Sequence, residues 1–146
     1  MFLASSAFAK EIKTENFVLN VPDSWEHTTA QSQGVDMVLL QEKASNTIMT
    51  ITLTPIAMSA KDFATQSAAN MKNGGFTVSE VSPIGNAYMV TLQKQGMTGV
   101  TYMGSNGKAA SAIMVLSASP DSIEKAKELL KKGFKPLDPD LYPSSF

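Results

Sequence analysis

Hydrophobic and polar residues alternate along several short stretches of the chain, a pattern typical of half-buried β-strands. The clearest case is NTIMTITLTP (46–55), in which Met49, Ile51 and Leu53 fall on one side and threonines on the other. Similar patterns predict strands at 17–21, 35–42, 76–83, 86–94, 97–104 and 108–119. The links between them include KASN, QG and SNG, which have turn composition, so neighbouring strands are expected to pair antiparallel. The last strand is apolar on both faces, which predicts a central position in the sheet.

Two segments instead repeat their apolar residues at helical spacing. The first begins after Ser59, an N-cap residue with Asp62 at the third helical position, and ends at Gly74 and Gly75. The second runs from Ser119 or Asp121 to Gly133. Its expected buried stripe is Ile123, Ala126, Leu129 and Leu130. The order of elements predicts an α+β fold with an antiparallel sheet of about six or seven strands flanked by two helices.

The length of 146 residues fits one domain, which we expect to span residues 10–136. Residues 137–146 form an extended C-terminal arm with Leu137, Leu141 and Tyr142 as anchors. The arm either docks on the domain itself or meets a partner, and docking on the domain is favoured.

The first residues, MFLASSAFA (1–9), have the features of a signal-peptide remnant. AFA at positions 7–9 has the small-x-small form of a cleavage site and precedes the charged residues Lys10 and Glu11. An ordinary frayed N-terminus is the alternative. The first interpretation predicts a periplasmic or secreted protein. No stretch approaches 18 apolar residues, so no transmembrane segment is predicted.

The amino-acid composition disfavours or excludes several classes of function. All 12 basic residues are lysines and the net charge is −1, which disfavours nucleic-acid binding and phosphate-clamping enzymes because arginine is the usual residue for both. The chain has no cysteine, which excludes thiol catalysis and thiolate zinc sites. Lysines on the last helix could contact an acidic partner or membrane surface, although a solvated helix face is the favoured interpretation.

Residues that could form a catalytic or metal site are few. Asp23, Glu26 and the single histidine, His27, are close in sequence, but neighbouring strand residues point to opposite faces and cannot easily share an ion. Met97 and Met103 share a face and raise the possibility of copper(I), yet flexible core filling explains the nine methionines more economically. We therefore predict no cofactor, no metal and no enzymatic activity.

The opening FVLNVPDSW, with Phe17, Leu19, Pro22 and Trp25, resembles the PsbP-like superfamily, as do Gly85 before the NAYMV strand and the final lysine-rich helix. The resemblance covers residues 15–136. This superfamily includes the PsbP proteins of photosystem II, Ran-binding Mog proteins and bacterial DcrB-type periplasmic proteins. The resemblance implies an α/β/α sandwich and a role in binding or assembly, without shared chemistry.

The resulting functional prediction is a non-catalytic, exported binding or assembly protein of the bacterial cell envelope, similar to DcrB-type proteins and acting on a protein partner. The predicted protein-binding surface consists of Trp25, Tyr102, Tyr142 and Phe146. A periplasmic carrier of a small apolar ligand, held between sheet and helix, is the alternative. A small hydrolase is a less favoured one.

Overall fold

The computed structural model describes residues 10–146, so the predicted signal-peptide remnant, residues 1–9, lies outside the described residues. The strands are β1 (Lys10–Lys13), β2 (Phe17–Val21), β3 (Trp25–Ser32), β4 (Val35–Glu42), β5 (Thr47–Thr54), β6 (Thr77–Val78), β7 (Ser82–Ile84), β8 (Ala87–Lys94), β9 (Met97–Ser105), β10 (Ala110–Ser117) and β11 (Phe134–Pro136). The helices are α1 (Ala60–Asn73) and α2 (Pro120–Gly133), and a 3₁₀ helix spans Pro139–Leu141.

The main sheet has eight antiparallel strands in the order β3-β4-β5-β10-β9-β8-β6, with β7 pairing with β8. A small sheet has the order β1-β2-β11. The predicted fold class, an antiparallel sheet with two helices, is confirmed. The predicted central position of the strand at 108–119 is also confirmed, because β10 lies between β5 and β9.

The structure has more strands than the alternation of hydrophobic residues predicted. The strand predicted at 76–83 is instead two short strands, β6 and β7, with residues 79–81 between them outside any strand. The pattern does not predict β1 and β11, because strands of four and three residues are too short to show a period. β3 has eight residues, but all of them except Trp25 are exposed, so its polar sequence shows no apolar face. β3 is joined to β4 by a tight turn in which Gln33 and Gly34 both have positive φ, +52° and +81°.

The two helices cover opposite faces of the main sheet. Ile113 and Val115 of β10 belong to the larger core cluster beneath α2, whereas Ala112 and Met114 pack into the smaller cluster beneath α1. The predicted stripe of α2 is buried, with Leu130 fully so. Alternate residues of one strand therefore supply both layers of the α/β/α sandwich.

Helix α1 begins as predicted, since the amide of Asp62 donates to Ser59 Oγ at 3.1 Å. At α2 the N-cap is Ser119, but its side chain makes no capping hydrogen bond. The Ser119 carbonyl instead accepts from the amides of Ser122 and Ile123 at 3.1 and 3.2 Å. No helix within residues 10–146 has the length and apolar character needed to cross a membrane.

Candidate functional site

Three of the four predicted surface aromatics meet in one cluster on the α2 face of the sheet. The rings of Tyr102 and Phe146 meet edge to face with centroids 5.0 Å apart. Phe134, which follows α2, contacts both Phe146 (5.6 Å) and Tyr142 (4.9 Å). Phe17 stacks on Phe134 at 5.2 Å. These are the distances of favourable aromatic pairs, so the cluster joins β2, β9 and the C-terminal residues into one packed unit.

Trp25 does not take part in these ring pairs; it lies at the start of β3 as a buried member of the larger core cluster. The side chains of Trp25, Tyr102 and Tyr142 are 4%, 1% and 0% exposed. Phe146 is half-buried. Of the four residues predicted to contact a partner, Phe146 alone therefore offers part of its ring at the surface in this structure, and that contact stays a prediction.

Burial changes the acid–base properties of two phenols in this cluster. Desolvation, together with the charge of Glu124, raises the pKa of Tyr102 from 10.0 to about 12. Desolvation also raises the pKa of Tyr142, with smaller contributions from Asp138 and Asp36. Both phenols are neutral at physiological pH, and neither is activated as a base or nucleophile.

The Tyr142 hydroxyl is the one buried side-chain polar atom in residues 10–146 without a hydrogen-bond partner in the protein. Beside the ring lies a small space of about 20 Å³, lined in part by Thr14, Asn16 and Asp36. That volume suits one water molecule and is far too small for an organic ligand.

Residues 137–146, called the C-terminal segment below, dock on the domain through a set of polar contacts. Ser111 Oγ donates to the carbonyl of Leu141. Asn86 binds the segment twice, donating to the carbonyl of Pro139 at 3.0 Å and accepting from the amide of Ser144 at 2.7 Å. The docking on the domain itself, favoured by the sequence, is thus observed. Leu141 and Tyr142 are buried as predicted, but Leu137 is 53% exposed and is no anchor.

Gly104 of β9 allows the closest approach of this segment. A Cβ atom there would overlap the carbonyl oxygen of Leu141 and lie 2.8 Å from its carbonyl carbon. The backbone of the C-terminal segment therefore lies directly on β9, at a place where only glycine fits.

The docked segment forms one wall of a surface cleft of about 680 Å³, called the C-terminal cleft below. Its lining includes Leu130, Phe134, Pro136, Pro139, Pro143 and Phe146, with Lys131 and Asp140 as charged residues. The prolines have no backbone N–H donor, and together with the leucine and the two aromatic rings they make this wall mainly apolar. The volume falls in the range of ligand and peptide sites.

A second, smaller cleft of about 260 Å³ lies where α2 passes the start of β3. Pro22, Trp25 and Leu129 contribute apolar surface to it. Its charged lining residues are of both signs: Lys125, Lys132, Glu42 and Glu128. The Trp25 carbonyl accepts from Lys10 Nζ at 2.5 Å and its amide donates to the carbonyl of Pro22 at 3.1 Å. The opening PDSW thus folds as a turn that fixes the tryptophan under the helix.

The residues considered for chemistry do not converge. Glu26 forms an ion pair with Lys43 at 3.3 Å. Its neighbour His27 lies opposite Leu40 of β4 in the sheet. Within residues 10–146 no three His, Cys, Asp or Glu side chains form a group that could hold a metal. Met103 is fully buried beneath α1, whereas Met97 lies at the far end of β9, about 20 Å away at the usual rise per residue. These two methionines cannot share a copper ion.

Sequence reasoning missed Phe17 and Phe134 as parts of the aromatic cluster. Phe17 was visible as an inward position of β2, but β11 is too short to reveal that Phe134 pairs with Leu19. The sequence signal that points to a buried role for Phe134 is its position directly after Gly133, the residue that ends the helix.

Sequence comparison found no matching protein-family model and no matching curated protein. Comparison with solved structures did find a match. The solution structure of cyanobacterial PsbP (CyanoP) from Synechocystis aligns with a TM-score of 0.62 over 91% of this chain and 95% of the other, at 10% sequence identity. The chain has a PsbP-like fold. A crystal structure from Bacteroides thetaiotaomicron aligns with a TM-score of 0.49 and 17% identity, over 84% of this chain and 46% of the other. The alignment with CyanoP confirms the predicted resemblance to PsbP at the level of the fold.

Proposed function

We propose that this chain is a non-catalytic binding or assembly protein that takes up an extended apolar segment of a protein partner in the C-terminal cleft. The observation that carries the proposal is the fixed, half-exposed ring of Phe146. It is held edge-on by Tyr102 and Phe134 at the wall of an apolar cleft. A rigid aromatic ring loses little conformational entropy on binding, which is why such residues dominate protein interfaces.

The charged residues of the cleft support a peptide-like occupant. Lys131 and Asp140 place one positive and one negative charge among prolines and aromatic rings. An apolar floor with a mixed polar rim is the usual composition of a protein interface, and the rim charges would orient the bound segment. The PsbP-like fold is compatible with this role, although a fold by itself does not specify a function.

We propose that the protein is exported to the bacterial cell envelope and resembles DcrB-type proteins. The support is the AFA pattern at residues 7–9 followed by charged residues. Intact-mass measurement of the chain purified from a bacterial envelope fraction tests this. The proposal requires a start near Lys10, and an uncut chain recovered from the cytoplasm would remove the export claim.

A carrier of a small apolar ligand is the second candidate, because a cleft of about 680 Å³ is large enough for one. The ligand would lie in the C-terminal cleft rather than between sheet and helix, where Tyr102, Tyr142 and Leu130 fill the interior. Native mass spectrometry of the purified protein distinguishes the two candidates, because a carrier retains a small molecule of defined mass.

The test of partner binding is photocrosslinking in living cells with a photoreactive residue at Ser145, an exposed position in the cleft. A probe at Lys61, exposed on α1 on the other face of the sheet, is the control. We expect one discrete protein adduct from position 145 and none from 61. Phe146→Ala should reduce the adduct about tenfold, as expected for an anchor worth about 1.4 kcal/mol.

Leu137→Ala is the matched variant, because it also truncates an apolar residue of the C-terminal segment but lies outside the cleft. It should leave the adduct unchanged. Equal adduct yields for the wild type and Phe146→Ala, with both proteins folded, would refute the cleft as the binding site. Equal adducts from positions 145 and 61 would show that the crosslinks are unspecific.

A further inference from the structure

The two edges of the main sheet differ in how they are protected against pairing with strands of other molecules. At one end lie β6, with two residues, and β7, which contains Pro83. Short strands and proline are common ways of blocking unwanted strand pairing. At the other end lies β3, with eight residues, no proline and no lysine. Among the described residues, the outer side of β3 pairs with no strand.

The contacts at the two ends of β3 determine which of its residues point their backbone N–H and C=O groups away from β4. Ser32 and Val35 close the two-residue turn, so the carbonyl of Ser32 points toward β4. At the other end both backbone groups of Trp25 bind partners away from β4, Lys10 and Pro22. Because residues of an antiparallel strand alternate in direction, His27, Thr29 and Gln31 point their amides and carbonyls outward.

We propose that β3 is a self-association edge, on which the β3 strand of a second copy of this chain pairs antiparallel about a twofold axis at Thr29. In this register Thr29 is opposite its own copy, and His27 is opposite the second copy's Gln31. All three outward residues then exchange both of their backbone hydrogen bonds. Shifting the register by two residues in either direction would leave an outward residue unpaired or engage Trp25, whose carbonyl is already bound to Lys10.

The side chains of β3 match this arrangement. Thr28 is opposite Ala30, Glu26 is opposite Ser32, and no two like charges face each other. A threonine pair at the axis is a favourable cross-strand pair. A twofold axis requires that the same surface fit itself, and this strand meets that condition.

An exposed apolar row leads up to the same edge. Met37 and Leu39 of β4 are 40% and 39% exposed and are paired with Ala30 and Thr28 of β3. With the proposed register, Leu39 and Thr28 continue into the second copy's Ala30 and Met37. In the dimer, the exposed apolar residues of the two copies lie on the same face of the joined sheet. Together they form one continuous apolar surface across the paired β3 strands.

The first experiment is sedimentation or light scattering of the full chain across micromolar to millimolar concentration. We expect reversible formation of a species with twice the 15.6 kDa mass of the chain. Thr29→Lys places like charges directly opposite each other and should abolish that species. Thr65→Lys, on the exposed surface of α1, adds the same charge elsewhere and should leave it intact.

The register is tested by disulfide formation, which is clean because the chain has no cysteine. Two Thr29→Cys residues would have Cα atoms about 5.5 Å apart, within bridging distance. Two Gln31→Cys residues would be offset by four positions, about 13 Å along the strands, and beyond it. We expect a covalent dimer from Thr29→Cys alone under a mild redox buffer. A wild-type chain that stays monomeric, or equal crosslinking at 29 and 31, would overturn the proposal.

Discussion

Tyr142 illustrates how a single residue can be held by its ring rather than by its polar atom. The ring contacts Phe17 and Phe134 at 6.0 and 4.9 Å and is fully buried, yet the hydroxyl has no partner in the protein. A buried hydroxyl without a protein partner adds little to stability, whereas the buried ring contributes favourable free energy. The stabilising contribution of Tyr142 is therefore apolar.

Tyr142→Phe should keep the free energy of unfolding or raise it by up to about 1 kcal/mol, because it removes a polar atom without a protein partner. Tyr142→Ala should lower it by about 3–5 kcal/mol through the cavity it leaves. Urea unfolding followed by the fluorescence of Trp25 measures both. Leu137→Ala, at an exposed position, should stay within about 0.5 kcal/mol of the wild type. A loss above 1 kcal/mol in Tyr142→Phe would mean that the hydroxyl is hydrogen-bonded after all.

The position of the C-terminal segment depends on close contact with the backbone of β9. It lies on β9 at Gly104 and is held by Ser111 and Asn86 from the adjacent strands and turn. Its sequence showed apolar anchors and prolines, which predicted an extended, docked segment. The docking place could not be predicted, because it depends on a glycine and a serine that approach it only in the folded sheet.

Gly104→Ala should displace this segment, because the new methyl group would overlap the carbonyl of Leu141. Overpacking of this kind costs about 1–3 kcal/mol. Hydrogen exchange should show faster exchange of the amides of Leu141, Tyr142 and Ser144 while β5 and β10 stay protected. Gly107→Ala is the control, because a Cβ there meets no atom within 4 Å and only its positive φ is strained. Unchanged protection of the segment in Gly104→Ala would contradict this account.

At the scale of the molecule, the apolar patterns predicted the sandwich because each face of the sheet has its own helix. The stripe of α2 and the two-sided strand β10 are both visible in the sequence. The stripe is buried, and β10 is buried on the α2 face and mostly half-buried on the α1 face. β3 could not be recognised, because an edge strand with seven exposed residues carries no apolar period. The aromatic cluster could not be assembled either, since it joins residues from Phe17 to Phe146 that only the tertiary fold brings together.

The two buried phenols make the stability of the whole molecule depend on pH at the alkaline end. The pKa of Tyr102 is raised from 10.0 to about 12, and that of Tyr142 is raised as well, both chiefly by burial. The unfolded chain therefore releases phenolic protons at a pH where the folded chain retains them. Since the folded state then binds more protons, the free energy of unfolding is unaffected below pH 10 and falls as pH rises from 10 toward 12.

Each phenol should contribute a slope of up to about 1.4 kcal/mol per pH unit in that window. Urea unfolding at a series of pH values, with absorbance of the phenolate as a second signal, measures this dependence. Tyr102→Phe removes one titrating group and should make the decline shallower, and Tyr142→Phe should do the same. If each variant loses stability with pH as steeply as the wild type, the alkaline transition arises from other groups, and burial of these rings does not control it.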